Sequence, residues 1–164
     1  MAGKWHVART VHPRGPNDTW PLQRGFDKFY GTLEGAGSYY DPASLCRGNT
    51  FITPENDLEY RPEKFYYTDA ITDNAVKFLQ EHAKENAGTP FFFYVAYTAA
   101  HWPMQAPPEE IAKYKGQYDA GYAPVRTARF AKAKRLGLIN PTWNLSAQAG
   151  DWDVLTDKAW EARC

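Results

Sequence analysis

The sequence predicts an α/β fold in which helices pack on a mostly parallel sheet. Two patterns carry that expectation. Phe91 to Tyr97 is a run of seven residues with almost no polarity, bounded by Pro90. A short apolar run of this kind reads as a strand buried on both faces, in the middle of a parallel sheet. Before it, Thr68 to Asn86 places Ile71, Ala75, Phe78, Leu79 and His82 at spacings of three and four, which is one face of a helix. Helix followed by buried strand is half of an α/β repeat.

The other elements follow in chain order. Residues 1 to 10 read as a strand or strand end. In extended chain, alternate side chains share a face, so Lys4 and His6 emerge side by side while Trp5 packs the other way. Residues 12 to 62 are dense in Pro, Gly, Asn and Asp, which forbids long regular elements. Their many aromatics predict an ordered, packed stretch, with short strands near Phe26 to Gly31 and Asn49 to Ile52. In the helix at Thr68, that residue is the expected cap, Asp69 favours the first turn, and Gly88 lies just past the end. Pro107-Pro108-Glu109-Glu110 opens a second, short helix with Ile111 and Tyr114 turned inward. Arg126 to Leu136 reads as a third helix and Asp151 to Cys164 as a fourth. There is no internal repeat and no heptad.

The chemistry concentrates at two places. Gly3-Lys4-Trp5-His6 holds an ammonium and an imidazole two residues apart, and His101-Trp102-Pro103 follows the apolar strand. In open α/β sheets, ligands bind beyond the carboxyl ends of strands. Two cationic side chains and a histidine there suit a small oxyanion. His12 sits in a Pro-rich turn and His82 continues a helix face, so both are expected to be structural.

These residues resemble the sulfatase family of the alkaline phosphatase superfamily. Further matches are Gln23-Arg24-Gly25-Phe26-Asp27 with Lys28-Phe29-Tyr30-Gly31, and the whole stretch from Phe91 to Pro103. The likeness runs from the first residues to at least Tyr122. It implies a partial alkaline phosphatase-like sandwich, with residues 1 to 164 the central portion of a sulfatase catalytic domain. Within it, 12 to 62 is an insertion rich in Pro, Gly and aromatics, and 66 to 140 is a helix-strand-helix core. The resemblance gives Lys4 contacts to sulfate and nucleophile, His6 a hydrogen bond to the nucleophile's hydroxyl, and His101 a contact to the sulfate or leaving oxygen. It also implies a calcium ion and a formylglycine nucleophile made within Cys-x-Pro-x-Arg. No such segment is present: Cys46 is followed by Arg47-Gly48-Asn49. No Asp-Asp pair precedes Lys4 and no Asp-Asn-Gly follows His101. The expectation is therefore an internal piece of a sulfatase, inactive alone, whose metal ligands, nucleophile and remaining domain lie elsewhere. By family analogy the parent is periplasmic or secreted, although no signal peptide is read here.

Composition sets the partners. Nineteen Lys and Arg balance nineteen Asp and Glu, so bulk charge makes no case for nucleic acid or a membrane surface. No apolar stretch is long enough to span a bilayer. The implied partner is a sulfated small molecule or a sulfated carbohydrate, with six Trp and eleven Tyr mildly favouring a sugar. A phosphonate or phosphate-ester hydrolase is the alternative enzyme, because the Lys-His pair suits either tetrahedral anion. A non-catalytic sulfate- or sugar-binding remnant is the alternative outside enzymes. Cys46 and Cys164 have no metal or redox spacing. Asn144-Leu145-Ser146 matches a glycosylation acceptor and marks an exposed loop.

Overall fold

The computed structural model describes residues 1–148. The helix expected at Asp151 to Cys164 lies outside the described residues. The chain divides into two compact units, Met1–Gln105 and Ala106–Cys164.

The first unit is built on five short strands: β1 (Ala2–Gly3), β2 (Tyr30–Thr32), β3 (Leu45–Arg47), β4 (Thr50–Phe51) and β5 (Val95–Ala96). Their order is β4-β3-β2-β1-β5. β1 runs parallel to both β2 and β5, while β3 and β4 continue the sheet antiparallel. The α/β class holds. The Pro-rich stretch 12 to 62 supplies three of these five strands.

Side chains that alternate along the strands feed two cores. Ala2, Tyr30 and Leu45 face one side, where helix α1 (Tyr67–Glu85) lays Tyr67, Ala70, Ile71 and Ala75 against them. Met1, Phe29 and Cys46 face the other side and pack with Trp20, Leu33 and Ala96. The strands sit unusually close around β1. A Cβ on Gly3 would collide with the backbone of Ala96, and one on Gly31 with the backbone of Gly3. Gly3 also has φ 112°, open only to glycine at no cost.

A polar network ties β3 to α1. The Arg47 guanidinium donates to both carboxylate oxygens of Asp57, at 3.1 and 2.6 Å, and to Asn74 Oδ1 at 3.0 Å. It lies 4.8 Å from the centre of the Tyr30 ring. Asn74 Nδ2 in turn donates to Ala70 O at 2.8 Å. Asn74 is buried, yet both ends of its amide are partnered, as burial demands.

Several expectations are corrected. The run Phe91 to Tyr97 is not a central, doubly buried strand: only Val95 and Ala96 pair, and β5 is the edge of the sheet. Phe91 is 60% exposed and Phe92 80%. The second face of the sheet is covered instead by the loops around Trp20. Thr68 is not the cap of α1; Tyr66 holds that position, and Tyr67 enters the helix because its ring is needed in the core. Of residues 1 to 10, expected as a strand or strand end, only Ala2 and Gly3 form a strand.

The second unit, by itself, contains α2 (Pro108–Ala112) and α3 (Tyr122–Arg135). Ile111 and Tyr114, expected inward, are 55% and 53% exposed. The third helix begins four residues before Arg126, after Gly121. No described helix is long and apolar enough to cross a membrane.

Candidate active site

Lys4 is the first residue beyond β1. Its amide donates to Ala96 O at 2.8 Å, one step past the paired register Gly3 to Ala96. β1 and β5 are therefore level at their carboxyl ends, and Lys4 and the segment leading to His101 leave from the same edge. Lys4 is half-buried, and no carboxylate pairs with it among the described residues.

Trp5 N donates to Thr32 O at 2.9 Å and His6 N to Leu33 O at 3.1 Å. Consecutive amides bonding consecutive carbonyls break the two-residue alternation of a strand, so Lys4 and His6 do not share a face by pleat geometry. Trp5 anchors this segment. Its indole N–H donates to Thr19 O at 2.7 Å and its ring meets Phe26 edge-on, centroids 6.0 Å apart. His6 takes φ 63°, a left-handed conformation that costs a non-glycine residue about 1–2 kcal/mol. The Cε1–Nε2–Cδ2 edge of its imidazole occupies the space that a Cβ on Gly35 would take.

His101 follows β5 by five residues and is held by its backbone. His101 N donates to Thr98 O at 2.8 Å, and Tyr39 Oη donates to His101 O at 2.9 Å. Its ring Nδ1 lies 2.7 Å from Trp102 O. A carbonyl only accepts, so Nδ1 carries the proton. Nε2 is left as an acceptor in the neutral ring and a donor in the protonated one. Both His6 and His101 are exposed.

Lys4 and His6 thus lie on the segment that leaves β1, and His101 on the segment that leaves the neighbouring β5. Tyr39 and Gly35, which touch the two histidines, escaped the sequence reading. His12 and His82 are engaged locally, His12 Nδ1 accepting from Arg14 N at 3.1 Å and His82 Nε2 bonding Thr89 O at 3.0 Å. A cavity of about 520 Å³ opens at the opposite, amino ends of β1 and β5. It is lined by residues such as Met1, Phe26, Phe78, His82 and Phe92, and by none of Lys4, His6 and His101. Among the described residues no three of His, Cys, Asp or Glu form a cluster fit to hold a metal ion. The described residues do not fit calcium.

The family model for sulfatases matches residues 1–147. This chain belongs to the sulfatase family. An arylsulfatase of Klebsiella aerogenes is 33% identical over 166 residues, covering 99% of this chain and 32% of the relative. An uncharacterised sulfatase of Schizosaccharomyces pombe is 31% identical over 180 residues, covering 99% of this chain and 30% of the relative. The chain thus spans about a third of the length of these curated sulfatases. Among solved structures, Ps i-CgsB in complex with k-i-k-neocarrahexaose superposes with a TM-score of 0.53 at 28% identity. That match covers 69% of this chain and 26% of the other.

Proposed function

We propose that this chain is the part of a sulfatase that supplies an anion-binding cation and two histidines to sulfate-ester hydrolysis. The observation that supports the reading most is positional: Lys4, His6 and His101 all follow the carboxyl ends of adjacent, parallel, level strands. In the proposed division of labour, the Lys4 ammonium neutralises sulfate oxygens where charge builds in the transition state. His101 Nε2, the ring atom left free by the Trp102 contact, gives a proton to the departing alcohol oxygen. His6 hydrogen-bonds the nucleophile. We place the formylglycine nucleophile and the calcium ligands of the family outside these 164 residues, with the rest of the catalytic domain as partner. The proposed substrate class is a sulfated carbohydrate or an aryl sulfate; the oligosaccharide in the Ps i-CgsB complex lends support to the first.

Inorganic sulfate, titrated into the chain and followed by two-dimensional amide and imidazole NMR, tests the reading. The resonances of Lys4, His6 and His101 should move together with one dissociation constant. Lys4→Ala should weaken that binding by about tenfold, the scale of one charge-assisted hydrogen bond. The chain should not turn over a chromogenic aryl sulfate. Sulfate that leaves His101 unmoved sinks the shared site, and tighter binding of phosphate than sulfate favours a phosphate-ester parent.

A further inference from the structure

We infer that the loop from Gly35 to Tyr39 is a two-point positioning device that holds His6 at one end and His101 at the other. This rests on the anion-site reading above for its purpose, but its geometry stands independently. At the first point, the imidazole edge of His6 sits in the space that any side chain on residue 35 would fill. At the second, Tyr39 Oη donates to the carbonyl of His101 at 2.9 Å. Residues 35 and 39 are four apart, so their Cα atoms are separated by at most about 14 Å. The loop therefore limits how far the two histidines separate.

A spacer works only if it is itself fixed, and Tyr39 is tied down at every polar atom. Its N–H donates to Gln105 Oε1 at 2.9 Å, and its carbonyl accepts from Tyr67 N at 2.7 Å, at the first residue of α1. Its ring is 2% exposed and belongs to the α1-side core. Gln105 is clamped in turn, its carbonyl accepting from Tyr66 Oη at 3.0 Å. The segment from His101 to Gln105 is thus gripped at both ends by Tyr39. The other end of the loop is anchored where Glu34 N donates to Ser44 Oγ at 2.9 Å. Partly buried hydrogen bonds of this kind, shielded from water, hold a segment better than solvent contacts do.

Each end has a substitution that acts on one histidine alone. Tyr39→Phe removes the hydroxyl and keeps the ring in the core. Gly35→Ala places a methyl against the His6 ring. Gly37→Ala is a matched control on the same loop, because nothing lies within 4 Å of a Cβ there. The readouts are imidazole ¹⁵N shifts and pH titration curves of both histidines in the full 164-residue chain, together with inorganic sulfate affinity. Tyr39→Phe should shift the His101 resonances and titration curve and leave those of His6 in place. Gly35→Ala should do the reverse. Each should weaken sulfate by about three- to tenfold, as expected for one lost positioning hydrogen bond, and Gly37→Ala should change none of these. The inference fails if Tyr39→Phe leaves the His101 titration curve unchanged, or if either variant moves both histidines as much as each other. If the wild-type chain binds no sulfate, the anion-site reading falls, while the imidazole shifts still decide for or against the spacer.

Discussion

α1 and α3 are helices of 19 and 14 residues that differ in what they bury. α1 buries Tyr67, Ala70, Ile71, Asn74 and Ala75, whereas no residue of α3 is buried. The contrast extends to the units that contain them: every described buried residue lies in 1–105 and none in 106–148. α3 carries Arg126, Arg129, Lys132, Lys134 and Arg135 without an acid. Its contacts include Lys134 over the Phe130 ring at 4.8 Å and Arg126 to Ser146 Oγ at 2.8 Å. Helices in proteins draw most of their stability from a packed face rather than from propensity. The site residues lie wholly in the unit whose helix has such a face. The strands that lead to Lys4, His6 and His101 are therefore backed by α1 and the two cores of the sheet.

Arg47→Ala should give the largest effect, because it strikes the junction of β3 and α1. It leaves the Asp57 carboxylate, only 3% exposed, without its bidentate partner. Removing one member of such a buried pair costs about 3–5 kcal/mol. Urea unfolding followed by circular dichroism should show that loss. Arg126→Ala, its counterpart in α3, should change stability by less than about 0.5 kcal/mol. Equal losses would erase the distinction between the two helices.

Ile71→Ala sharpens the same comparison on the apolar side. Ile71 is fully buried between α1 and the sheet, so truncation should cost about 2–5 kcal/mol through lost burial and the cavity left behind. Val125→Ala in α3, where the side chain is 40% exposed, should cost less than about 1 kcal/mol. Ile71→Ala removes three carbons and Val125→Ala two, so a difference well above the roughly 0.8 kcal/mol of one buried methylene reports the packing.

The same physics explains what could be read from the sequence. α1 was legible because Ile71 and Ala75 announce a buried face by their spacing. Its cap lies two residues earlier than expected, at Tyr66, because a core demand for Tyr67 outweighed the capping preference of Thr68. β3 was missed because Leu45, Cys46 and Arg47 form three paired residues inside a turn-rich stretch, too few to show a period. The run Phe91 to Tyr97 was read as a central strand because an apolar sequence states a demand for burial without naming neighbours, and here the strand is an edge. Lys4, His6 and His101 stood out by residue type and order. Their geometry did not: His6, with its left-handed φ, bonds Leu33, and the grip on His101 comes from Tyr39, 62 residues away. Contacts at such separations leave no periodic trace.

The smallest predicted effect uses alkali to probe the packed unit alone. Burial pushes the Cys46 thiol up to about 12 from an ordinary value of 9.0. Burial also raises the hydroxyls of Tyr30 and Tyr67 above their ordinary value of 10.0. Each of these acids is neutral in the folded protein at a pH where the unfolded chain already ionises it. Below pH 9 the Cys46 thiol is protonated in both states, and its contribution to stability is fully present. As pH rises from 9 toward 12 the unfolded chain sheds the proton first, so stability falls with rising pH. One group contributes at most about 1.4 kcal/mol per pH unit in that window. Wild type should therefore lose about 1 kcal/mol more than Cys46→Ala between pH 9 and 10. The variant's overall stability will be lower at every pH because of the cavity it leaves, so the slope is the measurement. Parallel slopes for the two proteins would mean that the thiol is not held away from water between β2 and β4, and that this face of the sheet is less tightly covered than the packing around Trp20 implies.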